Sequence, residues 1–241
     1  MKNFLFKFPS RGRPEKFKST LLNHISKLSK KHKYKFVFSF DNDDEKMNND
    51  NIKNFIKNLK INHEICYGDN KNKIEAINAN IGKKKFDVLV LIADDMVPIM
   101  QNYDEIISKI IDESPTGLDT SIHFNTARWA NLLDIWCIMG KKYYDRFKYI
   151  YHPDYKSIFC DNEYTEVATI LGKRIFSVES PFYHDYTSGD ETEVKNWHYN
   201  SEDWNTYERR KNNNYNLIIE DKKNEDSNNT RKRKTRRKQK I

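Results

Sequence analysis

The chain has 241 residues, 37% hydrophobic and 13% aromatic, enough for one sizeable α/β domain or two small ones despite a mean hydropathy of −0.93. Its net charge of +8 resides in residues 222–241, where ten Lys or Arg face two acids, so residues 1–221 are formally neutral and are not built to track a phosphate backbone. Three scattered cysteines (Cys66, Cys137, Cys160) exclude a CxxC zinc knuckle or redox pair, and no run reaches a membrane span.

Residues 3–8, with Lys7 as the charged exception, read as a first strand. It enters Pro9-Ser10-Arg11-Gly12-Arg13-Pro14, a turn with two guanidiniums and a permissive glycine. Phe17, Leu21, Leu22, Ile25 and Leu28 give helical spacing over residues 15–31. A second strand, 34–40, ends in Asp41-Asn42-Asp43-Asp44, and Ile52, Phe55, Ile56 and Leu59 mark a second helix. A short strand over 63–67 closes in Gly68-Asp69-Asn70, and a helix over 73–81 follows. Then comes FDVLVLIADDMVP, residues 86–98, whose apolar run 88–93 reads as a strand buried on both faces and ends in Asp94-Asp95. Those carboxylates suit either the N-cap of a following helix or a hard cation. The order β-α-β-α-β-α-β predicts an α/β fold with a mostly parallel, doubly wound sheet flanked by helices. Three polar strand ends would face one crevice, where open α/β sheets collect ligands.

Past Pro98 the pattern changes to a helix over 103–111, a strand over 118–124 and an aromatic-dense segment from Trp129 to Phe159. Flat rings with polar edges suit carbohydrate or base stacking, and equally a core. A helix beginning at Asp161 is capped by Gly172, and a strand over 174–178 leads to Phe182-Tyr183-His184. Residues 222–241 have nothing apolar to bury and are expected to be disordered. The expected organisation is one domain over 1–221, made of an N-terminal half (1–98), a second half (99–197) and a C-terminal extension (198–221). With no signal h-region in the N-terminal FLFKF, the chain is expected to be soluble, intracellular and cytoplasmic.

An apolar strand ending in Asp-Asp also occurs as a Walker B strand, but no GxxxxGK[ST] loop accompanies it, nor is there a GxGxxG or a GxSxG. Taken together, the residues from Phe8 to His184, about three quarters of the chain, resemble the GT-A fold glycosyltransferases, in particular the family 2-like group that uses nucleotide-sugar donors. The resemblance implies that Pro9, Ser10, Arg11 and Arg13 embrace the nucleotide and that Asp41 bonds its base. By the same likeness Asp69, Lys73 and Asn78 line the base and ribose. Ala93-Asp94-Asp95 stands where the family has its DxD-like motif, so Asp95 would bind Mn2+ or Mg2+ and Asp94 would reach the ribose or the metal. In Cys160-Asp161-Asn162-Glu163, Asp161 takes the place of the general base of inverting members, and Glu163 is the alternative two residues on. His184 matches a late histidine that some members give to the metal. Trp136 and Tyr155 are candidate acceptor-binding rings.

The departures are Ala-Asp-Asp in place of Asp-x-Asp, and Cys160 in place of an acid. The implied partners are a nucleoside-diphosphate sugar and a glycan, protein or lipid-linked acceptor. Three rival readings stand beside this one: a nucleotidyltransferase, a non-catalytic nucleotide-sugar-binding protein, and a polyanion- or membrane-surface-binding protein acting through Arg231 to Lys240, eight of whose ten residues are basic.

Overall fold

Alternation along the first two strands sets the layers. In β1 (Asn3–Pro9), Phe4, Phe6 and Phe8 point to one face and Leu5 and Lys7 to the other. In β2 (Lys33–Asp41), Phe36, Phe38 and Phe40 oppose Val37 in the same way. The two ladders of rings meet across the strands, with Phe6 and Phe36 stacked at 4.8 Å between centroids. In this computed structural model, which describes residues 1–126, 128–185, 194–195 and 197–217, helices cover both faces. The phenylalanine face carries α1 (Pro14–Ser26), α2 (Asp50–Asn58) and α4 (Tyr103–Glu113), through Phe17, Leu21, Ile52, Ile56 and Ile107. The other face carries α3 (Lys73–Asn78), α5 (Lys141–Phe147), α6 (Cys160–Ile170) and α7 (Asn200–Asn212), through Ile77, Tyr143, Tyr164, Val167 and Tyr207.

The seven-stranded sheet runs β3 (His63–Gly68), β2, β1, β4 (Val88–Leu91), β7 (Ile138–Gly140), β6 (Ser121–Phe124), β8 (Arg174–Ser177). Only the β4–β7 and β7–β6 pairs are antiparallel; β1–β2, β1–β4, β2–β3 and β6–β8 are parallel. From β1 the chain steps outward to β2 and β3, then returns to add β4 on β1's other side. The strand order therefore reverses between β1 and β4, and a crevice opens beyond their carboxyl ends. A second, two-stranded sheet pairs β5 (Met96–Pro98) antiparallel with β9 (Phe182–His184), placing Met96 opposite His184.

Local chemistry accounts for the boundaries. The side chains of Asn49 and Asn72 cap α2 and α3 by accepting from the amides of Ile52 and Glu75. At the end of α6, Gly172 sits at φ +63°, and the amides of Lys173 and Gly172 return to the carbonyls of Ala168 and Thr169, a Schellman closure. Gly140 is required for a different reason, because a Cβ there would lie 2.2 Å from the Leu118 carbonyl oxygen.

The mostly parallel sheet flanked by helices agrees with the fold expected from the sequence. Differences lie at the short elements. The strands β5, β7 and β9 have three residues each, too few for a periodicity to register, and α5 and α7 fall within the aromatic and polar segments. The helix expected over 15–31 ends at Ser26, and Lys30 beyond it takes a left-handed conformation at φ 63°. No helix among the described residues is long and apolar enough to cross a membrane. The basic segment 222–241 and residues 218–221 lie outside the described residues.

Candidate active site

The Asp94–Asp95 pair does not cap a helix. Ile92 and Ala93 end the β4 run, the Met96 amide closes back on the Ala93 carbonyl at 3.0 Å, and the chain enters β5. Its register with β9 brings His184 beside the pair, with Nε2 3.5 Å from Oδ2 of Asp95, and the Asp185 amide donates to the Asp95 carbonyl at 2.9 Å. Asp95 is the more open of the two acids, with its side chain 34% exposed against 7% for Asp94. Burial raises the Asp94 carboxyl to about 7, against the opposing pull of Arg13 and the Ser10 hydroxyl. Ser10 Oγ donates across both Asp94 oxygens at 3.1 and 3.2 Å, and an Arg13 Nη1 stands 3.8 Å away. The hydroxyl of Thr20 on α1 holds the Asp94 carbonyl at 2.8 Å.

The tips of β1 and β2 form the neighbouring wall. Gly12 takes φ +71°, and its amide donates to Asp44 at 2.7 Å, turning the Pro9–Pro14 loop over the crevice. Arg11 forks onto both oxygens of Asp43 at 2.7 and 2.8 Å and donates to Oδ2 of Asp41 at 2.7 Å. The pairing holds the Asp43 carboxyl below its ordinary value. Oδ1 of Asp41 accepts from Asn70 at 2.7 Å, so both Asp41 oxygens are engaged. Asp69 accepts from Asn42 at 2.8 Å at the same edge.

The candidate base Asp161 stands on the first turn of α6. Phe159 precedes it in a left-handed conformation, φ 59°, which costs a non-glycine residue about 1–2 kcal/mol. Asp161 is partly buried; its Oδ1 accepts from the Asn162 amide at 3.1 Å. Burial raises its pKa, opposed by the positive charge of Lys73 and reinforced by Asp134. The Thr165 hydroxyl bonds the Asp161 carbonyl at 2.8 Å and accepts the Asp134 amide at 2.9 Å. Two residues on, the Trp136 ring lies 6.1 Å from that of His184, so segment 134–136 runs from the Asp161 turn toward the acid–histidine pair.

Several sequence candidates lie elsewhere. Glu163 is buried, with Arg210 Nε and Nη2 each donating to its oxygens at 2.6 Å and Tyr155 adding a third bond at 2.8 Å. Its carboxylate is part of the α6–α7 contact. Tyr155 is fully buried and Trp136 is 4% exposed, so neither offers a ring face to an acceptor. The expectation of stacking rings is corrected here, because composition does not tell which aromatics the core takes. The side chain of Asn78 ties α3 to the backbone of Ile150 and Tyr151, facing away from the nucleotide role expected of it. Sequence reading missed Asp134, buried between His123 at 2.8 Å and Arg174 at 2.6 Å, and it missed Arg128, whose positive charge adds to burial in lowering the His184 pKa. Neither stands in a local motif.

The residues present fit a hard divalent cation. Asp95 and His184 supply one oxygen and one nitrogen, and burial, the largest influence on His184, favours the neutral imidazole that a metal requires. No cluster of three or more His, Cys, Asp or Glu surrounds them among the described residues, so the pair is open rather than a closed structural cage. Mg2+ and Mn2+ characteristically take one or two protein groups and complete their shell with phosphate oxygens and water. The buried Trp136 indole N–H has no acceptor among the described residues; as a donor only, it suits an anionic oxygen rather than the cation.

No family model matches the sequence, and neither does any curated protein. Among solved structures, the mannosyltransferase PcManGT from Pyrobaculum calidifontis, in complex with GDP-Man and Mn2+, superposes with a TM-score of 0.55 at 11% identity, over 74% of this chain and 55% of that one. TarS 1-349 from S. aureus in complex with UDP-GlcNAc superposes with a TM-score of 0.61 at 12% identity, over 79% of this chain and 60% of that one. The chain thus spans between 55% and 60% of the length of these two proteins. With its strand order, its acid-tipped β4 and these likenesses, the chain has the GT-A-like fold of glycosyltransferases.

Proposed function

We propose that the protein transfers a sugar from a nucleoside diphosphate to an acceptor hydroxyl by a single, inverting displacement. The observation that carries this reading is the meeting, at one end of the sheet, of the polar loops after β1 and β2 with the open Asp95–His184 pair. Two ligand-bearing neighbours of the same fold bind GDP-Man with Mn2+ and UDP-GlcNAc, which supports a diphosphonucleotide donor. Arg11, Arg13 and Ser10 on the β1 loop orient its nucleotide, with Asp41 and Asp69 beneath the base. Asp95 and His184 hold the divalent cation, which when bound neutralises charge on the leaving diphosphate.

Asp161 is the general base. As the acceptor oxygen attacks the anomeric carbon, its proton passes to an Asp161 carboxylate oxygen while the bond from that carbon to the diphosphate oxygen breaks, and the leaving nucleotide carries the electron pair away. Burial raises the Asp161 pKa toward the range where a base accepts a proton efficiently near neutrality. Glu163, locked to Arg210, supports α6 and takes no proton.

Transfer to water or to a simple alkyl glycoside across a panel of GDP- and UDP-sugars tests this. Asp161→Asn is expected to bind donor as tightly as wild type while turnover falls by 10²-fold or more, about the contribution of general base catalysis. Unchanged turnover in this variant removes Asp161 from the role.

A further inference from the structure

The turn that presents Asp161 is held from outside by the C-terminal helix. Asp203 on α7 is fully buried, yet its partners are three consecutive backbone amides: Lys156 to Oδ1 at 2.8 Å, and Ser157 and Ile158 to Oδ2 at 2.8 and 2.9 Å. A carboxylate that collects three amides fixes the path of that loop, since each amide loses a charge-assisted bond if the loop moves. The next residue, Phe159, is the left-handed one, and its ring packs on Trp204 at 5.2 Å and on Tyr207 at 6.1 Å, both on α7. A strained, non-glycine conformation persists only where the surroundings determine it. Two residues later comes Asp161. Further along, Arg210 and Lys211 of α7 bond Glu163 and Glu166 of α6.

We infer that α7 is a clamp that aims Asp161, with Asp203 as the positioning residue for the loop and Trp204 as the brace for the strained turn. The inference rests on Asp161 being the base, as proposed above. It adds that residues 200–212, to which no donor, acceptor or metal role is assigned above, set how fast transfer proceeds. Groups that act electrostatically on Asp161 include Lys73 on α3, Asp134 and Cys137 ahead of β7, Tyr151, and Cys160 on α6 itself. From α7, the Asp203 charge reaches Cys160, the neighbour of Asp161, while both its oxygens are taken up by the loop amides, so the helix acts on Asp161 chiefly through geometry. Releasing the loop admits water to Asp161 and lowers its pKa.

The test uses the full chain with Asp203→Ala and, because the loss of a buried carboxylate can unfold a variant, Trp204→Ala, whose side chain is 46% exposed. Two readouts are taken. Hydrogen exchange at the amides of Lys156, Ser157 and Ile158 is expected to accelerate at least tenfold in Asp203→Ala, with those of β1 and β4 unchanged. In transfer assays, kcat is expected to fall at least tenfold in Asp203→Ala and severalfold in Trp204→Ala. The donor KM should stay within twofold, and the acid limb of the kcat profile should move to lower pH. Unchanged exchange at residues 156–158 overturns the clamp whatever the activity. Faster exchange with unchanged kcat, in a protein that Asp161→Asn inactivates, overturns its role in positioning and leaves the proposed reaction standing. A wild-type protein that transfers no sugar defeats the proposed reaction itself, and with it the aim of the clamp, even where exchange responds.

Discussion

Lys7 shows how burial at a single residue becomes a measurable pH dependence. Its ammonium is buried, donating to the Ser39 hydroxyl and to the Ala79 carbonyl, with no carboxylate among the described residues bonded to it. Burial lowers its pKa from 10.5 to about 7. Between those two values the unfolded chain holds a proton that the folded chain does not, so stability rises with pH across that window. Below about 7 the charge is buried outright and its cost is greatest. Lys7→Met is therefore expected to raise the melting temperature more at pH 6.5 than at pH 9.5, by a margin of about 1.4 kcal/mol for each pH unit spent inside the window. Equal gains in thermal melts at the two pH values contradict the burial argument. Of the candidate site residues, Asp41 and Asp95 stand out in the sequence because each follows an apolar run, where a carboxylate is conspicuous. Tyr155 and Trp136 were not, because a ring on a surface and a ring in a core are the same letter.

At the scale of elements, the long ones were legible and the short or distant ones were not. The strands β1 and β2 and the helices α1 and α2 carry enough periods to be read from sequence, and the four-residue β4 shows as an unbroken apolar run. By contrast α7 is polar and its purpose lies in contacts 41 to 47 residues away, such as Tyr207 with Glu166 and Arg210 with Glu163. The Glu163–Arg210 pair joins α6 to α7 with both side chains nearly inaccessible, at 6% and 3% exposure. Removing one member strands the other's charge, whereas removing both does not. Arg210→Met is expected to cost about 3–5 kcal/mol in denaturant unfolding. Arg210→Met combined with Glu163→Met is expected to cost less than the single change. Additive losses would show that the two groups are not coupled.

At the scale of the molecule, a reversal of strand order places a crevice over β1 and β4, and a small β5–β9 sheet brings a histidine from near the end of the fold to the acid pair in its middle. The histidine was legible only through resemblance, since 88 residues separate it from Met96, its partner across the ladder. The central claim is that Asp95 and His184 hold a divalent cation that in turn holds a diphosphonucleotide. The most direct measurement is the thermal shift of wild type and Asp95→Ala with GDP, UDP and their sugar conjugates, each with and without Mn2+. A ligand at 100 times its Kd stabilises the folded state by about 2.7 kcal/mol, well within reach of the method. The account predicts a shift in wild type that requires both the nucleotide and Mn2+ and that is lost in Asp95→Ala. An equal shift in the variant, or none with any nucleotide, contradicts it.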